Sequence, residues 1–202
     1  MSLPLLDDIK KLKSQGRYDE AIDLCRKALE ACPDDIDLLY ELGFSYLAGL
    51  LLKGEVGDQA VQVFQRIIEL NPHDVKAYIA LGTAYEHDLI DFEKASEAYR
   101  KAMEVDPRNP DGYIYLARLY GSPGVKISLD EKVRLLQKAQ EDAPDHWMVL
   151  NEWGNHYREM EDYQSAKAYY EKALRSPGAD ADLVARNLRS LASFTAKADS
   201  PL

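Results

Sequence analysis

Four histidines (His73, His87, His146, His156) and two cysteines (Cys25, Cys32) are the side chains of this sequence best suited to metal ligation or nucleophilic chemistry. None of the histidines stands in H-E-x-x-H or a comparable ligand pattern. His87, Asp88 and Asp91 lie near one another in sequence, but they fall at a predicted turn between helices, where polar residues are expected without a metal. The cysteines are seven residues apart. On one helix that is about 10 Å of rise, whereas a disulfide needs Cα atoms within about 7 Å. Two reduced thiols are expected, with Cys25 a small core residue, and a reducing cytoplasm fits them. No glycine loop that cradles phosphate and no G-x-S-x-G are present. The expectation is therefore no enzyme, no metal and no cofactor.

The 13 tyrosines raise base stacking on single-stranded nucleic acid as another chemistry. Six of them, Tyr46, Tyr85, Tyr99, Tyr120, Tyr157 and Tyr170, are expected in the core instead. The 202 residues carry 35 Asp and Glu against 25 Lys and Arg, a net charge of −10. That balance disfavours attraction to nucleic-acid phosphates or anionic lipid. The longest apolar run, Leu47 to Leu52, is far short of the roughly 20 residues that span a bilayer. The N-terminus lacks a basic stretch followed by a long apolar one, so no signal peptide is expected. Hydrophobic residues make up 46 % of the chain, enough for a sizeable core.

The elements that must carry any site emerge from the prolines. Pro33, Pro72, Pro107, Pro144 and Pro177 are separated by 39, 35, 37 and 33 residues. Each lacks an N–H and pushes its predecessor out of the α region, so each can end a helix. Ahead of them stand Ala21-Cys25-Ala28, Ala60-Phe64-Ile67, Ala95-Tyr99-Ala102 and Ala166-Tyr170-Ala173. This i, i+4, i+7 spacing marks one helical face. After them come Leu39-Leu42-Gly43-Tyr46, Tyr78-Leu81-Gly82-Tyr85, Tyr113-Leu116-Ala117-Tyr120 and Leu150-Trp153-Gly154-Tyr157, a second stripe. Glycine inside a helix costs about 1 kcal/mol relative to alanine. Its return at Gly43, Gly82 and Gly154 predicts backbone contact with the partner helix.

The combined pattern resembles the tetratricopeptide repeat (TPR), two antiparallel helices in about 34 residues with the signature W-x2-L-G-x2-Y…A-x3-F…P. The resemblance implies an all-α, right-handed superhelical solenoid of about five TPR helix pairs with a C-terminal capping helix. As one domain over 1–202, its repeats would cover about 2–35, 36–74, 75–109, 110–146 and 147–180, with the cap over 181–198. The cap would present Leu183, Val184, Leu188, Leu191 and Phe194 on one face, covering the last open apolar surface. A cap helix that docks onto a partner is the rival reading.

Three departures stand out. In the first repeat Asp8 occupies a position where leucine is expected. The second repeat has 17 residues from Gly43 to Ala60, against 12 from Gly154 to Ala166. This predicts that both its helices are extended, with a Gly-rich turn in Ala48–Gly57. The fourth repeat carries an insertion, Gly121–Lys126, and its second helix is expected to start near Ser128 with Ser128 and Glu131 as a capping box. Lys132 or Val133 then stands where alanine is expected.

The TPR resemblance further implies that a stripe of each first helix, about 120° from the core stripe, lines a concave groove that binds peptides. In the first repeat it holds Leu3, Leu6, Lys10 and Lys13. The groove candidates beyond it are Tyr40, Phe44 and Leu47 in the second repeat, Lys76, Ile79, Thr83 and His87 in the third, Ile114 and Arg118 in the fourth, and Asn151, Asn155 and Arg158 in the fifth. Aromatic and arginine side chains anchor binding energy, amides pair with peptide backbone, and arginine holds carboxylate bidentately. The expected function is a protein–protein interaction scaffold or adaptor whose partner is a protein or peptide segment with an apolar residue and an acidic group. Two packing readings stand beside it: Tyr40, Phe44 and Leu47 against the lengthened repeat, and Arg118 against Asp111 or a glutamate. The Lys/Asn clamp of chaperone-tail binders is absent from the first three repeats. Asn151 and Asn155 resemble one piece of it. The alternative function is a self-assembly module that forms a homo-oligomer.

Overall fold

The computed structural model describes the backbone of residues 3–53 and 58–198, and side chains over 5–49 and 58–192. Among the described residues there are eleven α-helices and no strand: α1 (Leu3–Ser14), α2 (Tyr18–Ala31), α3 (Ile36–Lys53), α4 (Gln59–Leu70), α5 (Val75–His87), α6 (Phe92–Val105), α7 (Pro110–Arg118), α8 (Leu129–Asp142), α9 (Trp147–Glu159), α10 (Tyr163–Arg175) and α11 (Ala181–Ala198). They form two compact units, α1–α6 with Ser122–Val125, and α7–α11. None of these helices is long and apolar enough to cross a membrane.

The helix boundaries follow the local chemistry. α2, α4, α6, α8 and α10 each end two residues before one of the five spaced prolines. At the starts, Asp74, Asp91, Ser128 and Asp162 accept from the backbone N–H three residues on, and Asn109 caps α7 ahead of Pro110. Each such side chain satisfies a donor that the first helical turn leaves without a partner. The turns inside the repeats need a left-handed residue. Gly16 supplies it at no steric cost (φ +72°), whereas Ile90 and Glu161 adopt φ 52° and 59° with side chains.

In three pairs, α3–α4, α5–α6 and α9–α10, the aromatic residue of the second helix lies on the glycine of the first. A Cβ on Gly43 would sit 2.6 Å from Phe64, one on Gly154 2.5 Å from Tyr170, and one on Gly82 would collide with the Tyr99 ring. The expected contact of the glycine backbone with the partner helix is made by a ring, and Phe64, Tyr99 and Tyr170 are wholly buried there. The fourth repeat carries Ala117 at the glycine position and Leu136 at the ring position, so a methyl appears where the ring is gone. Lys132, 4 % exposed, occupies the alanine position of α8, which settles the register in favour of Lys132 over Val133.

Some expectations are corrected. Tyr120 is 38 % exposed rather than core, because α7 ends at Arg118 and the residue lies beyond the helix. The extra length of the second repeat enters α3, with 18 residues, while α4 has only 12. The Gly-rich turn at 54–57 falls outside the described residues. Both cysteines are free, and burial pushes the Cys25 thiol up to about 12, which keeps it unreactive.

Of the polar residues at the turn after α5, His87 is exposed, Asp91 caps α6 and pairs with Lys94, and Asp88 is 3 % exposed with Oδ2 lacking a hydrogen-bond partner among the described residues. Burial pushes the Asp88 carboxyl up to about 6. A carboxyl raised in the folded state holds its proton more tightly folded than unfolded. Its stabilising share is therefore full below the unfolded value near 4 and is lost as pH rises through about 6. Asp88→Asn, neutral throughout, is expected to melt a few degrees (roughly 2–4 °C) above the parent at pH 7.5 and level with it at pH 4. Thermal unfolding of the pair across that range checks this, and a pH-independent difference contradicts it.

Candidate functional site

In the first unit the predicted residues divide between a packed stack and a pocket. Tyr40 is 7 % exposed and stacks on Phe44 at 5.9 Å, while Phe44 lies 5.4 Å from Phe64. Lys76 places its ammonium 3.9 Å from the centre of the Tyr40 ring, and Lys13, paired with Glu41 at 2.6 Å, lies 5.7 Å from Phe44. These are cation–π distances. Burial, and secondarily the Asp74 carboxylate, push the Tyr40 phenol upward. Tyr40 therefore belongs to the packed floor rather than to a ligand-facing surface. Phe44, Leu47, Ala48, Thr83 and His87 line a nearly apolar pocket of ≈ 280 Å³. The Thr83 hydroxyl donates to its own helix at Ile79 O, 3.0 Å away. Ile79 does not line this pocket.

In the second unit the predicted residues converge. Ile114, Arg118, Asn151, Asn155 and Arg158 line one cleft of ≈ 370 Å³ together with Lys132, Trp147, Met148, Glu152, Glu159, Leu183 and Asn187. Arg118 stands at the end of α7, its guanidinium 5.1 Å from the Tyr115 ring. α9 contributes seven of the lining side chains, from Trp147 to Glu159, and α11 closes the cleft with Leu183 and Asn187.

A hydrogen-bond chain fixes the floor. The Tyr170 hydroxyl donates to Asn155 Oδ1 at 2.7 Å, and the Asn155 amide donates to Glu152 at 3.1 Å. From the other side, Asn187 donates to Asn151 Oδ1 at 2.8 Å, and Asn151 donates to Glu152 at 3.4 Å. Both asparagine oxygens are thus satisfied and both amide nitrogens aim at one carboxylate. Burial pushes the Glu152 carboxyl above its ordinary value, opposed by the asparagine amides and the charges of Arg118 and Lys132. Lys132 donates to Glu159 at 2.5 Å and faces the Tyr120 ring at 5.0 Å. The resulting surface carries both signs of charge beside the apolar side chains of Ile114, Trp147, Met148 and Leu183.

Models of the tetratricopeptide repeat match residues 10–48, 75–109 and 152–179, together about half of the chain. The chain is a member of the tetratricopeptide repeat family. Among solved structures this TPR chain is similar to TTC0263, a thermophilic TPR protein of Thermus thermophilus. The TM-score is 0.70 at 25 % identity, covering 93 % of this chain and 97 % of that one. Among curated relatives, it is 25 % identical over 167 residues to Protein CTR9 homolog of Arabidopsis thaliana, covering 80 % of this chain. It is 26 % identical over 155 residues to the TPR repeat-containing protein YpiA of Bacillus subtilis, covering 76 % of this chain. It spans 15 % and 34 % of the lengths of those two relatives.

Several cleft residues escaped the TPR stripe. Glu152 lies outside the set 148, 151, 155, 158. It is nevertheless four residues after Met148 and three before Asn155, close enough on a helix to share their face. Asn187 interrupts the apolar row Leu183, Leu191 at intervals of four, and a lone amide in such a row signals a polar partner opposite. Lys132 stands in the core register, where its charge requires a partner.

Proposed function

We propose that this TPR chain is a non-catalytic protein–protein interaction scaffold whose second unit binds a partner peptide in the cleft walled by α7, α9 and α11, with an acidic group of the peptide held by Arg158 and Arg118. TPR proteins bind protein or peptide partners in general, and the finer reading rests on one observation. The amides and the carboxylate of the floor are locked by hydrogen bonds to Tyr170 and Asn187, while Arg158 enters no salt bridge among the described residues and lines the cleft. A guanidinium beside an ordered polar floor favours carboxylate capture, because less freedom is lost on binding. Trp147, Met148 and Leu183, each half-buried at the cleft, supply the apolar contact. The pocket of Phe44, Leu47 and His87 in the first unit is a separate apolar contact surface. Two unpaired thiols suit a reducing compartment such as the cytoplasm.

Panning a random-peptide display library on the parent and on Arg118→Ala/Arg158→Ala tests the reading. The parent is expected to enrich peptides with an acidic residue beside an apolar one. The variant, equally helical by circular dichroism, is expected to bind the synthesised consensus at least tenfold more weakly, about 1.4 kcal/mol. An identical consensus and affinity on both proteins would contradict it.

A further inference from the structure

The acidic floor of the cleft carries more than a role in positioning. A carboxylate offers about four acceptor sites. The two asparagine amides occupy one each, Asn155 at 3.1 Å and Asn151 at the longer 3.4 Å. Those amides have no freedom to turn away, because Tyr170 and Asn187 hold their oxygens. Lys132, the lysine lining the same cleft, is bound to Glu159 at 2.5 Å. Glu152 thus lines a solvent-reachable cleft with acceptor capacity left over, and a purely acidic ligand would meet it as a like charge. Repulsion of that kind excludes wrong partners as effectively as attraction selects right ones.

Resting on the peptide-binding reading above, we propose that Glu152 is a specificity determinant of the cleft: it selects peptides that carry a lysine or arginine near the acidic residue held by Arg158. The charges lining the cleft are mixed, Arg118, Lys132 and Arg158 against Glu152 and Glu159, and they match a segment of both signs. The spacing follows from the helix. Glu152 and Arg158 are six residues apart on α9, about 9 Å along its axis. An extended peptide rises about 3.3 Å per residue, so its base and acid fall two or three residues apart. A charged donor on a carboxylate makes a shorter and stronger bond than a neutral one. This makes the basic side chain a better occupant of the floor than a peptide N–H.

The probe is a set of synthetic, fluorescein-labelled peptides of about twelve residues. Each carries one glutamate and one lysine in an alanine–leucine background, at separations from one to five, with matched peptides holding norleucine for lysine. Fluorescence anisotropy at low salt reads their affinities for the parent, Glu152→Gln and Arg158→Ala, each first verified as helical. The parent is expected to bind lysine peptides at separations of two or three at least tenfold tighter than norleucine peptides. Glu152→Gln is expected to erase that ratio while retaining dependence on the glutamate, a pattern that general loosening of the cleft would not produce. Equal parent affinity for lysine and norleucine peptides, with the glutamate still required, overturns the role of Glu152 and leaves the acid-binding reading standing. Binding that ignores the glutamate on every protein overturns both.

Discussion

Tyr170→Ala is expected to lower the stability of the second unit by about 3–5 kcal/mol, the range for truncating a large buried ring. The side chain is wholly buried and lies on Gly154 where a Cβ would stand 2.5 Å away. Gly154, directly beneath the ring, has no side chain to fill the space that the ring leaves. Ala166 and Ala173, one helical turn to either side on α10, are also fully buried and too small to fill it. Tyr170→Phe separates packing from hydrogen bonding. It retains the ring but leaves the half-buried Asn155 Oδ1 without its donor, a loss of about 0.5–1.5 kcal/mol, the net worth of one hydrogen bond. Urea denaturation followed by circular dichroism measures both. Tyr170→Phe is also expected to weaken peptide binding while the fold persists, since Asn155 is then free to turn from Glu152. Stability of Tyr170→Ala within 1 kcal/mol of the parent would show that the ring is not the keystone of this helix pair.

Releasing the last helix is expected to have a comparable effect. Val184 is wholly buried and Leu191 is 3 % exposed, both in one cluster with Leu150, Ala166, Tyr170 and Ala173, and Leu188 packs on it. Leu191→Ala alone is expected to cost about 2–5 kcal/mol, and Val184→Ala in the same chain adds to it. Because stability in repeat arrays is carried by nearest-neighbour contacts, the loss should stay local. Amide hydrogen exchange is expected to show α11 and the face of α10 beneath it losing protection, with α1–α6 unchanged. Asn187 and Leu183 leave the cleft with α11, so affinity for the panned consensus peptide falls in step. Full peptide affinity with α11 unprotected would show that the cap takes no part in the site.

The helix pairs are legible in the sequence because their signals are local. A proline two residues beyond a helix end and a small–large–small stripe at i, i+4, i+7 act within one element, so no partner need be known. The ring-on-glycine contact joins residues 16 to 21 positions apart, such as Gly154 with Tyr170 or Gly43 with Phe64; the glycines announce a close neighbour on the partner helix but not which side chain it is. Tyr120 has the right spacing from Leu116 and Ala117, yet the insertion after it ends α7 at Arg118 and leaves its ring partly in solvent. The candidate site was half legible for the same reason. Ile114, Arg118, Asn151, Asn155 and Arg158 follow from the stripe of a single helix type and meet in one cleft. Glu152, Lys132 and Asn187 are defined by what faces them from α8, α9 and α11, which only the folded arrangement supplies. Tyr40 sits on the stripe yet is buried, because Phe44, Phe64 and Lys76 close over its ring.

Whether a peptide is held between α7, α9 and α11 is decided by nuclear magnetic resonance titration of the isotope-labelled chain with the consensus peptide from panning. The side-chain amides of Asn151, Asn155 and Asn187 and the indole N–H of Trp147 all report from the cleft. These signals, with the backbone amides around Arg118 and Arg158, are expected to shift together and saturate at one affinity. Saturable shifts confined to α8, α10 or the first unit, with the cleft signals unmoved, would contradict it.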